Sequence, residues 1–199
     1  MASFASLGVL AQTPPSRNEP RASNNERKEP MSSEAKKILI AYFSHSGNTR
    51  EIAKQIQKLT GGDIFEIQVV KPYPNEYNAV VEQAKKEINS GYKPELKNKV
   101  EDIGKYDVIF IGSPNWWSTI APPVTAFLSC YDFSGKTIVP FMTHGGGGFG
   151  HSINDIKKLC LKSSILDGHA FQGSDVKKAQ DEVAKWVHET ITIKPNKVK

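Results

Sequence analysis

The sequence of 199 residues contains only two cysteines, Cys130 and Cys160, and no long uninterrupted apolar run. Two thiols in a chain of this length exclude a disulfide-based framework, and their spacing does not fit a zinc site. No segment approaches the roughly 18 consecutive apolar residues that a membrane-spanning helix needs, so we expect no membrane span. The scarcity of cysteine permits a reducing compartment, and we expect a cytoplasmic protein.

Basic side chains exceed acidic ones only slightly, and the formal net charge is +5. Residues 1–36 hold five basic and four acidic side chains, so they contribute +1 and the rest of the chain contributes +4. An excess of this size favours anionic ligands near the surface. The lysines are scattered and no nucleic-acid-binding motif accompanies them, so we expect no nucleic-acid partner.

Residues 1–35 are polar, rich in proline and without hydrophobic periodicity. This composition is typical of a disordered tail or of a segment removed by processing. The apolar patch from Phe4 to Leu10 resembles part of a signal sequence, but it lacks the preceding basic residues of a secretory signal. Export of a precursor is therefore kept as an alternative. We expect one globular domain over residues 36–190 and a short C-terminal tail over residues 191–199.

From residue 36 onward, short continuous apolar runs alternate with segments of helical periodicity. Apolar runs of this kind are typical of parallel strands that are buried on both faces. We expect strands over residues 38–43, 63–69, 106–112, 136–142 and 165–171, the last of them weak and interrupted by Gly168. We expect helices over residues 48–60, 75–90 and 175–189, around residues 153–161, and from Pro122 onward.

This alternation predicts an α/β fold, an open parallel five-stranded sheet with helices on both faces. Sheets of this type bind ligands beyond the carboxyl ends of their strands, where the winding of the chain reverses. The segments that follow Phe43, Gly112 and Met142 are therefore the candidate binding loops.

The first candidate loop follows a buried strand and opens a helix, and it consists of Ser44, His45, Ser46, Gly47, Asn48 and Thr49. Backbone N–H groups at a helix start, together with the helix dipole, favour an anion such as a phosphate. A polar helix cap provided by Asn48 or Thr49 is the alternative interpretation. The loop lacks the Gly-Lys-Ser/Thr of a Walker P-loop, and it lacks the cysteine of a Cys-based phosphatase loop.

The second candidate loop follows the central strand and contains Ser113, Pro114, Asn115, Trp116 and Trp117. Adjacent tryptophans in a loop are unusual, because large aromatic residues usually lie in the core. An aromatic plane beside a phosphate site suits a flat heterocycle. Neighbouring residues of an extended segment point opposite ways, so we expect one tryptophan to face the ligand, without knowing which. The alternative is that both cover the edge of the core.

The third candidate loop begins with Thr143, His144, Gly145 and Gly146 and continues as glycine-rich sequence to Gly150. Ordering four consecutive glycines costs considerable entropy, which is reasonable where backbone must approach a ligand closely. A mobile linker is the alternative. The run also satisfies the dinucleotide-binding pattern Gly-x-Gly-x-x-Gly, but such a run matches almost by default and lies late in the fold. No carboxylate pair, Ser-His-Asp order or metal cluster emerges, so we predict neither a catalytic side chain nor a metal site.

In their order and spacing, the three segments resemble the flavodoxin family, especially flavodoxin-like proteins with Tyr-Phe-Ser-x-Ser-Gly-Asn-Thr after the first strand. The resemblance covers about residues 36–190. It implies FMN as cofactor, a sheet order of 2-1-3-4-5 and redox chemistry. By motif position, residues 44–49 would take the phosphate, residues 114–117 would line the isoalloxazine, and residues 143–146 would meet its pyrimidine edge, with His144 as a candidate donor.

Two departures from the electron-carrier flavodoxins affect the predicted activity. Those carriers are typically acidic, whereas this domain carries +4. They also often keep a glycine beside the flavin N5, whereas Ser113 to Trp117 contains none and Pro114 stiffens the segment. We therefore expect an FMN-dependent oxidoreductase that transfers two electrons from NAD(P)H to a quinone-like acceptor. A one-electron carrier with a redox protein as donor and a flavin-free binding module are the alternatives, and the sequence permits a homodimer.

Overall fold

Residues 36–192 are those that the computed structural model describes. The predicted N-terminal tail at residues 1–35 lies outside the described residues, as does the chain from residue 193 onward. The strands are β1 (Ile38–Tyr42), β2 (Asp63–Glu66), β3 (Val108–Trp116), β4 (Thr119–Ile120), β5 (Thr137–His144), β6 (Ser164–Ile165) and β7 (His169–Gln172). The α-helices are α1 (Asn48–Thr60), α2 (Tyr77–Ser90), α3 (Pro122–Cys130), α4 (Ser152–Leu159) and α5 (Gln180–Thr192).

The parallel strands form one sheet in the order β2-β1-β3-β5, with a fifth position that two short strands share. β6 pairs with the start of β5 at Thr137 and Ile138, and β7 pairs with its end from Phe141 to His144. Counted by position in the sheet, this is the order 2-1-3-4-5. The predicted fold class is confirmed, and so is the interruption of the last strand.

The sheet separates two apolar clusters, because successive residues of each strand point to opposite faces. On β1, Leu39 and Ala41 belong to the cluster that includes residues of α2, α3 and α4. Ile40 and Tyr42 belong to the cluster on the other face, which α1 and α5 cover. Burial of both faces explains why the strands are continuously apolar rather than alternating.

Gly112 lies in β3 just before the second candidate loop, between β1 and β5. A Cβ atom at this position would lie 2.2 Å from the Phe141 ring and 2.7 Å from Cβ of Tyr42. The central strand therefore needs a glycine here to let the Phe141 side chain fill the space beside it. This close packing fixes the ends of three strands relative to one another where the candidate loops begin.

The cap of α1 and the bounds of several elements, among them β2, β3 and α5, differ from the sequence-based prediction. Helix α1 has Gly47 as its N-cap, with φ +92° and no side-chain cap, so capping by Asn48 or Thr49 is wrong. The glycine supplies a positive φ that turns the loop into the helix. β2 ends at Glu66, and Val69 instead makes an isolated bridge to Leu96.

The second candidate loop is largely a strand. β3 continues to Trp116 and pairs antiparallel with β4, with Asn115 opposite Ile120 and Trp116 opposite Thr119. The hairpin turns through Trp117 and Ser118, which have φ values of +52° and +65°. Two-residue hairpin turns of this kind usually contain Gly, Asn or Asp, so the sequence carries no turn signal here.

Candidate functional site

Residues 44–49 form a concave segment of backbone at the carboxyl end of β1. The first hydrogen bond of α1 runs from Glu51 N–H to the Gly47 carbonyl over 3.0 Å, so the preceding N–H groups lie outside the helical ladder. A Cβ atom built on Gly47 would meet nothing within 4 Å, so the space beside the loop is open. Unbonded N–H groups at a helix start beside open space are suited to an anion.

Ser44 provides an independent test of whether this loop fits a phosphate. Its side chain is buried, yet its Oγ has no hydrogen-bond partner among the residues that the structure describes. Buried hydroxyls in native proteins are nearly always bonded, so an orphaned one in an anion-binding loop fits a bound phosphate oxygen. The nearest cation of the helix, Arg50, instead donates to the Glu66 carboxylate. The loop can therefore hold a phosphate mainly with neutral donors.

A buried hydrogen bond joins the first candidate loop to the third. Oγ1 of Thr49 lies 2.8 Å from Oγ1 of Thr143, and both side chains are buried. Only one hydroxyl can donate in this pair, so the other keeps its hydrogen for a third partner. The two threonines therefore fix the spacing of the loops and retain one donor for a ligand.

We expect Thr143→Val to lower the free energy of unfolding by about 1 kcal/mol, because it leaves the Thr49 hydroxyl buried without its partner. Urea unfolding of the FMN-free protein measures this change. Thr137→Val is the matched control, since Thr137 opens the same strand far from the loops. Equal stability of the two variants would show that the threonine pair does not contribute.

The third candidate loop folds back on itself through two hydrogen bonds of His144. Nδ1 of His144 accepts a hydrogen bond from Gly146 N–H at 3.0 Å, and the His144 carbonyl accepts from Gly173 N–H at 2.8 Å. Because the bonded Nδ1 is an acceptor, the ring proton of neutral His144 is on Nε2. Neutral His144 can therefore offer its Nε2–H as a donor to a ligand.

Two contacts anchor the glycine loop on the β3–β4 hairpin. Nδ2 of Asn115 donates to the Gly148 carbonyl at 2.7 Å, and His151 N–H donates to the Ser118 carbonyl at 2.7 Å. Gly150 approaches so closely that a Cβ atom there would lie 2.2 Å from the Ser118 carbonyl oxygen. The second and third candidate segments thus form one continuous surface.

Trp116 is held by three aromatic rings that meet it edge-on. The ring centroids of Tyr73, Phe43 and His45 lie 5.0, 5.6 and 5.9 Å from that of Trp116. The Tyr73 hydroxyl donates to the Glu87 carboxylate. Burial and this carboxylate raise the pKa of Tyr73 well above its ordinary value, so the phenol stays protonated as the donor. These three ring contacts therefore fix the position of the Trp116 side chain.

Trp117 is more exposed, with 47% of its surface accessible. Its indole N–H donates to the Val81 carbonyl at 3.0 Å, and the Lys85 ammonium lies 4.7 Å from its ring centroid. Alternation along a strand would point the two tryptophan side chains in opposite directions, but the positive φ of Trp117 turns the chain at this residue. Trp116 and Trp117 consequently line the same cavity.

That cavity has a volume of about 720 Å³, which is within the range of small-molecule sites. Six predicted site residues line it: His45, Ser46, Pro114, Asn115, Trp116 and Trp117. Five lining residues were not predicted as site residues: Asn75, Tyr77, Val80, Val81 and Ala84. Four of these belong to α2, where helical spacing cannot distinguish a side chain facing the core from one facing a cavity.

Ser113 and Asn48 do not line the cavity and instead contact other parts of the fold. The Ser113 hydroxyl accepts from Ala121 N–H at 2.9 Å and donates to the Pro114 carbonyl at 2.8 Å. Asn48 lies against Gly173, where a Cβ atom would come within 2.7 Å of its Nδ2. Ser113 therefore links β3 to the residue that precedes α3. Asn48 brings the start of α1 close to the segment after β7.

Two further properties concern only the described residues 36–192. No group of three or more side chains in this part of the chain is arranged to hold a metal ion. None of its helices has the length and apolar character required to cross a membrane.

The family model described as Flavodoxin matches residues 37–190, which include all three candidate segments. The chain belongs to the flavodoxin family. The resemblance predicted from the sequence is confirmed, and so is FMN as the cofactor of this flavodoxin-family protein. The orphaned Ser44 hydroxyl and the open loop beside Gly47 agree with that cofactor.

A curated flavodoxin from Haemophilus influenzae is 30% identical over 80 residues, which are 40% of this chain and 32% of that protein. The chain thus spans about a third of the length of the curated relative it matches.

A solved protein from Bacteroides eggerthii, provisionally described as a flavoprotein, is 33% identical with a TM-score of 0.64, covering 75% of this chain and 98% of that one. A Lactobacillus acidophilus flavoprotein in complex with FMN is 26% identical with a TM-score of 0.62, covering 72% and 98%.

Proposed function

We propose that this flavodoxin-family protein is an FMN-dependent oxidoreductase that passes electrons in pairs from NAD(P)H to a quinone-like acceptor. The observation that carries the proposal is the cavity of about 720 Å³, whose α2 wall extends beyond the residues assigned to FMN. A one-electron carrier needs only an accessible cofactor edge, whereas an enzyme needs space for a substrate beside the cofactor.

Three segments of this chain would hold FMN. Residues 44–49 would bind the phosphate, residues 114–117 would line the ring, and residues 143–146 would meet its polar edge. FMN supplies the redox chemistry when it is bound, and the protein supplies position and electrostatics. The Nε2–H of His144 and the N–H groups of the glycine loop would stabilise negative charge at the polar edge.

The rigidity of the β3–β4 hairpin supports transfer of electron pairs. Pro114 lies opposite Thr143 in the sheet, and Asn115 lies opposite Ile120. The Asn115 side chain also donates to the glycine loop. Electron-carrier flavodoxins often have a flexible glycine in this segment. Here the segment is instead paired with β5 on one side and with β4 on the other.

The proposed reaction is balanced without a catalytic side chain. NAD(P)H is oxidised to NAD(P)⁺ and gives up two electrons and one proton. The quinone takes up two electrons and two protons to become the hydroquinone, and the second proton comes from solvent. Trp116 and the α2 wall would position the acceptor and exclude water, which favours electron transfer between stacked rings.

We expect the FMN-loaded protein to oxidise NADH or NADPH when menadione is present, with ping-pong kinetics. Absorbance at the nicotinamide band measures the turnover, and protein without added quinone is the control. Anaerobic photoreduction should proceed from oxidised to fully reduced flavin. Accumulation of half-reduced flavin, with no quinone-dependent turnover and rapid exchange with a redox protein, would favour the one-electron carrier instead.

A further inference from the structure

We propose that the α2 side of the cavity binds flat aromatic acceptors that carry a negatively charged substituent, and that Lys85 recognises this charge. The inference rests on the proposed function, since it names the substrate class of the same cavity. It assigns a specificity role to a residue outside the three sequence motifs.

Lys85 contacts Trp117, one of the residues that line the cavity. Its ammonium lies 4.7 Å from the centroid of the indole ring, a distance typical of cation–π contacts. The indole is fixed in turn, because its N–H donates to the carbonyl of Val81, one turn earlier on α2. The cation is thus positioned beside a residue that lines the cavity.

The charge of Lys85 is not neutralised by a neighbouring carboxylate. No ion pair of Lys85 occurs among residues 36–192. Glu82, three residues before Lys85 on α2, forms no ion pair with it in the described part of the chain. Glu76 accepts from the N–H groups at the start of α2, and Glu87 accepts from Tyr73 and Gln83. The ammonium therefore remains available to an anionic group.

The α2 side of the cavity is mainly apolar. Tyr77, Val80, Val81 and Ala84 of α2 face the cavity together with the two tryptophans. Apolar and aromatic surface favours a flat ring system, and the Lys85 ammonium beside Trp117 favours an acidic substituent on that ring. A neutral quinone would fill the apolar part and leave the ammonium without a partner.

Direct binding tests the inference without requiring turnover. Naphthalene-2-sulfonate, which accepts no electrons, is titrated into FMN-loaded protein and followed by tryptophan fluorescence. We expect Lys85→Gln to raise its Kd about three- to fivefold, the size of an exposed charge–charge contact. The difference should shrink as salt is added. The adjacent lysine of α2 provides the matched control, because Lys86→Gln makes the same charge change without the Trp117 contact.

Kinetics supply the second arm of the test. The ratio of kcat/KM for 1,4-naphthoquinone-2-sulfonate to kcat/KM for menadione should fall about three- to fivefold in Lys85→Gln and stay unchanged in Lys86→Gln. Comparing a ratio across variants cancels the different reduction potentials of the two quinones. Val81→Phe should lower kcat/KM for both quinones, because it fills the cavity they share.

The outcomes separate this inference from the proposed function. An unchanged Kd and an unchanged ratio in Lys85→Gln would overturn the inference, even if quinone turnover were normal. Absence of turnover with any quinone, combined with Lys85-dependent binding of the sulfonate, would overturn the proposed function alone. If stopped-flow measurements showed that Lys85→Gln slows only reduction by NAD(P)H, the cation would serve the donor, and the inference would again be wrong.

Discussion

Gly47→Val is expected to weaken FMN binding by about 10- to 30-fold, because a β-branched residue resists the φ of +92° that shapes the phosphate loop. The space beside Gly47 is open, so the effect would come from backbone conformation rather than from a clash with protein atoms. A loop forced to negative φ would turn its N–H groups away from a common anion. Fluorescence titration of FMN into the purified apoprotein measures the change in Kd.

Gly61→Val is the matched control for this substitution. Gly61 ends the same helix with φ +66°, and a Cβ atom there also meets nothing within 4 Å. We expect it to cost stability of about 1–2 kcal/mol through the same kind of strain, with no change in FMN affinity of the folded protein. If both variants bound FMN as tightly as the original chain, the conformation of Gly47 would have no role in the site.

The parallel sheet could be predicted because its physical cause is local. Strands buried on both faces must be apolar along their whole length, and the segments at Ile38 and Val108 show this directly. The interruption of the last strand was also visible, since Gly168 stands in its middle. There the chain passes so close to β5 that a Cβ atom would lie 2.3 Å from the Pro140 carbonyl oxygen.

The candidate site was predictable only in its outline. Small polar residues fill the loop after β1, and glycines fill the loop after β5. Few purely structural roles require such compositions, so both loops can be predicted as binding segments from the sequence. The hairpin at Trp117 was missed, because neither Trp117 nor Ser118 is a residue that usually takes positive φ. The bonds from Thr49 to Thr143 and from Asn115 to Gly148 join residues far apart in the chain, which periodicity cannot reveal.

The α2 wall shows a second limit of sequence patterns. Val80 and Ala84 are buried and recur at helical spacing, so they resemble an ordinary core face. Their place beside the cavity depends on where the β3–β4 hairpin ends, and that depends on the unpredicted turn. Because this turn could not be predicted from the sequence, the α2 residues of the proposed substrate site could not be predicted either.

The glycine loop should be as sensitive as the phosphate loop. We expect Gly150→Ala to weaken FMN binding by about 30-fold or more, because its Cβ atom would lie 2.2 Å from the Ser118 carbonyl oxygen, a backbone atom with little freedom to move. Either the loop or the hairpin would have to shift, which would separate the donors at Gly145 and Gly146 from the tryptophan wall.

Gly148→Ala distinguishes this separation from simple backbone strain. Gly148 has φ +56°, close to the +54° of Gly150, but a Cβ atom there meets nothing within 4 Å. We expect Gly148→Ala to change FMN affinity by less than about fivefold, since its strain is similar and its contact is absent. Equal losses in the two variants would mean that strain alone explains them. Equal retention of affinity would mean that FMN binding does not need the glycine loop docked on the hairpin.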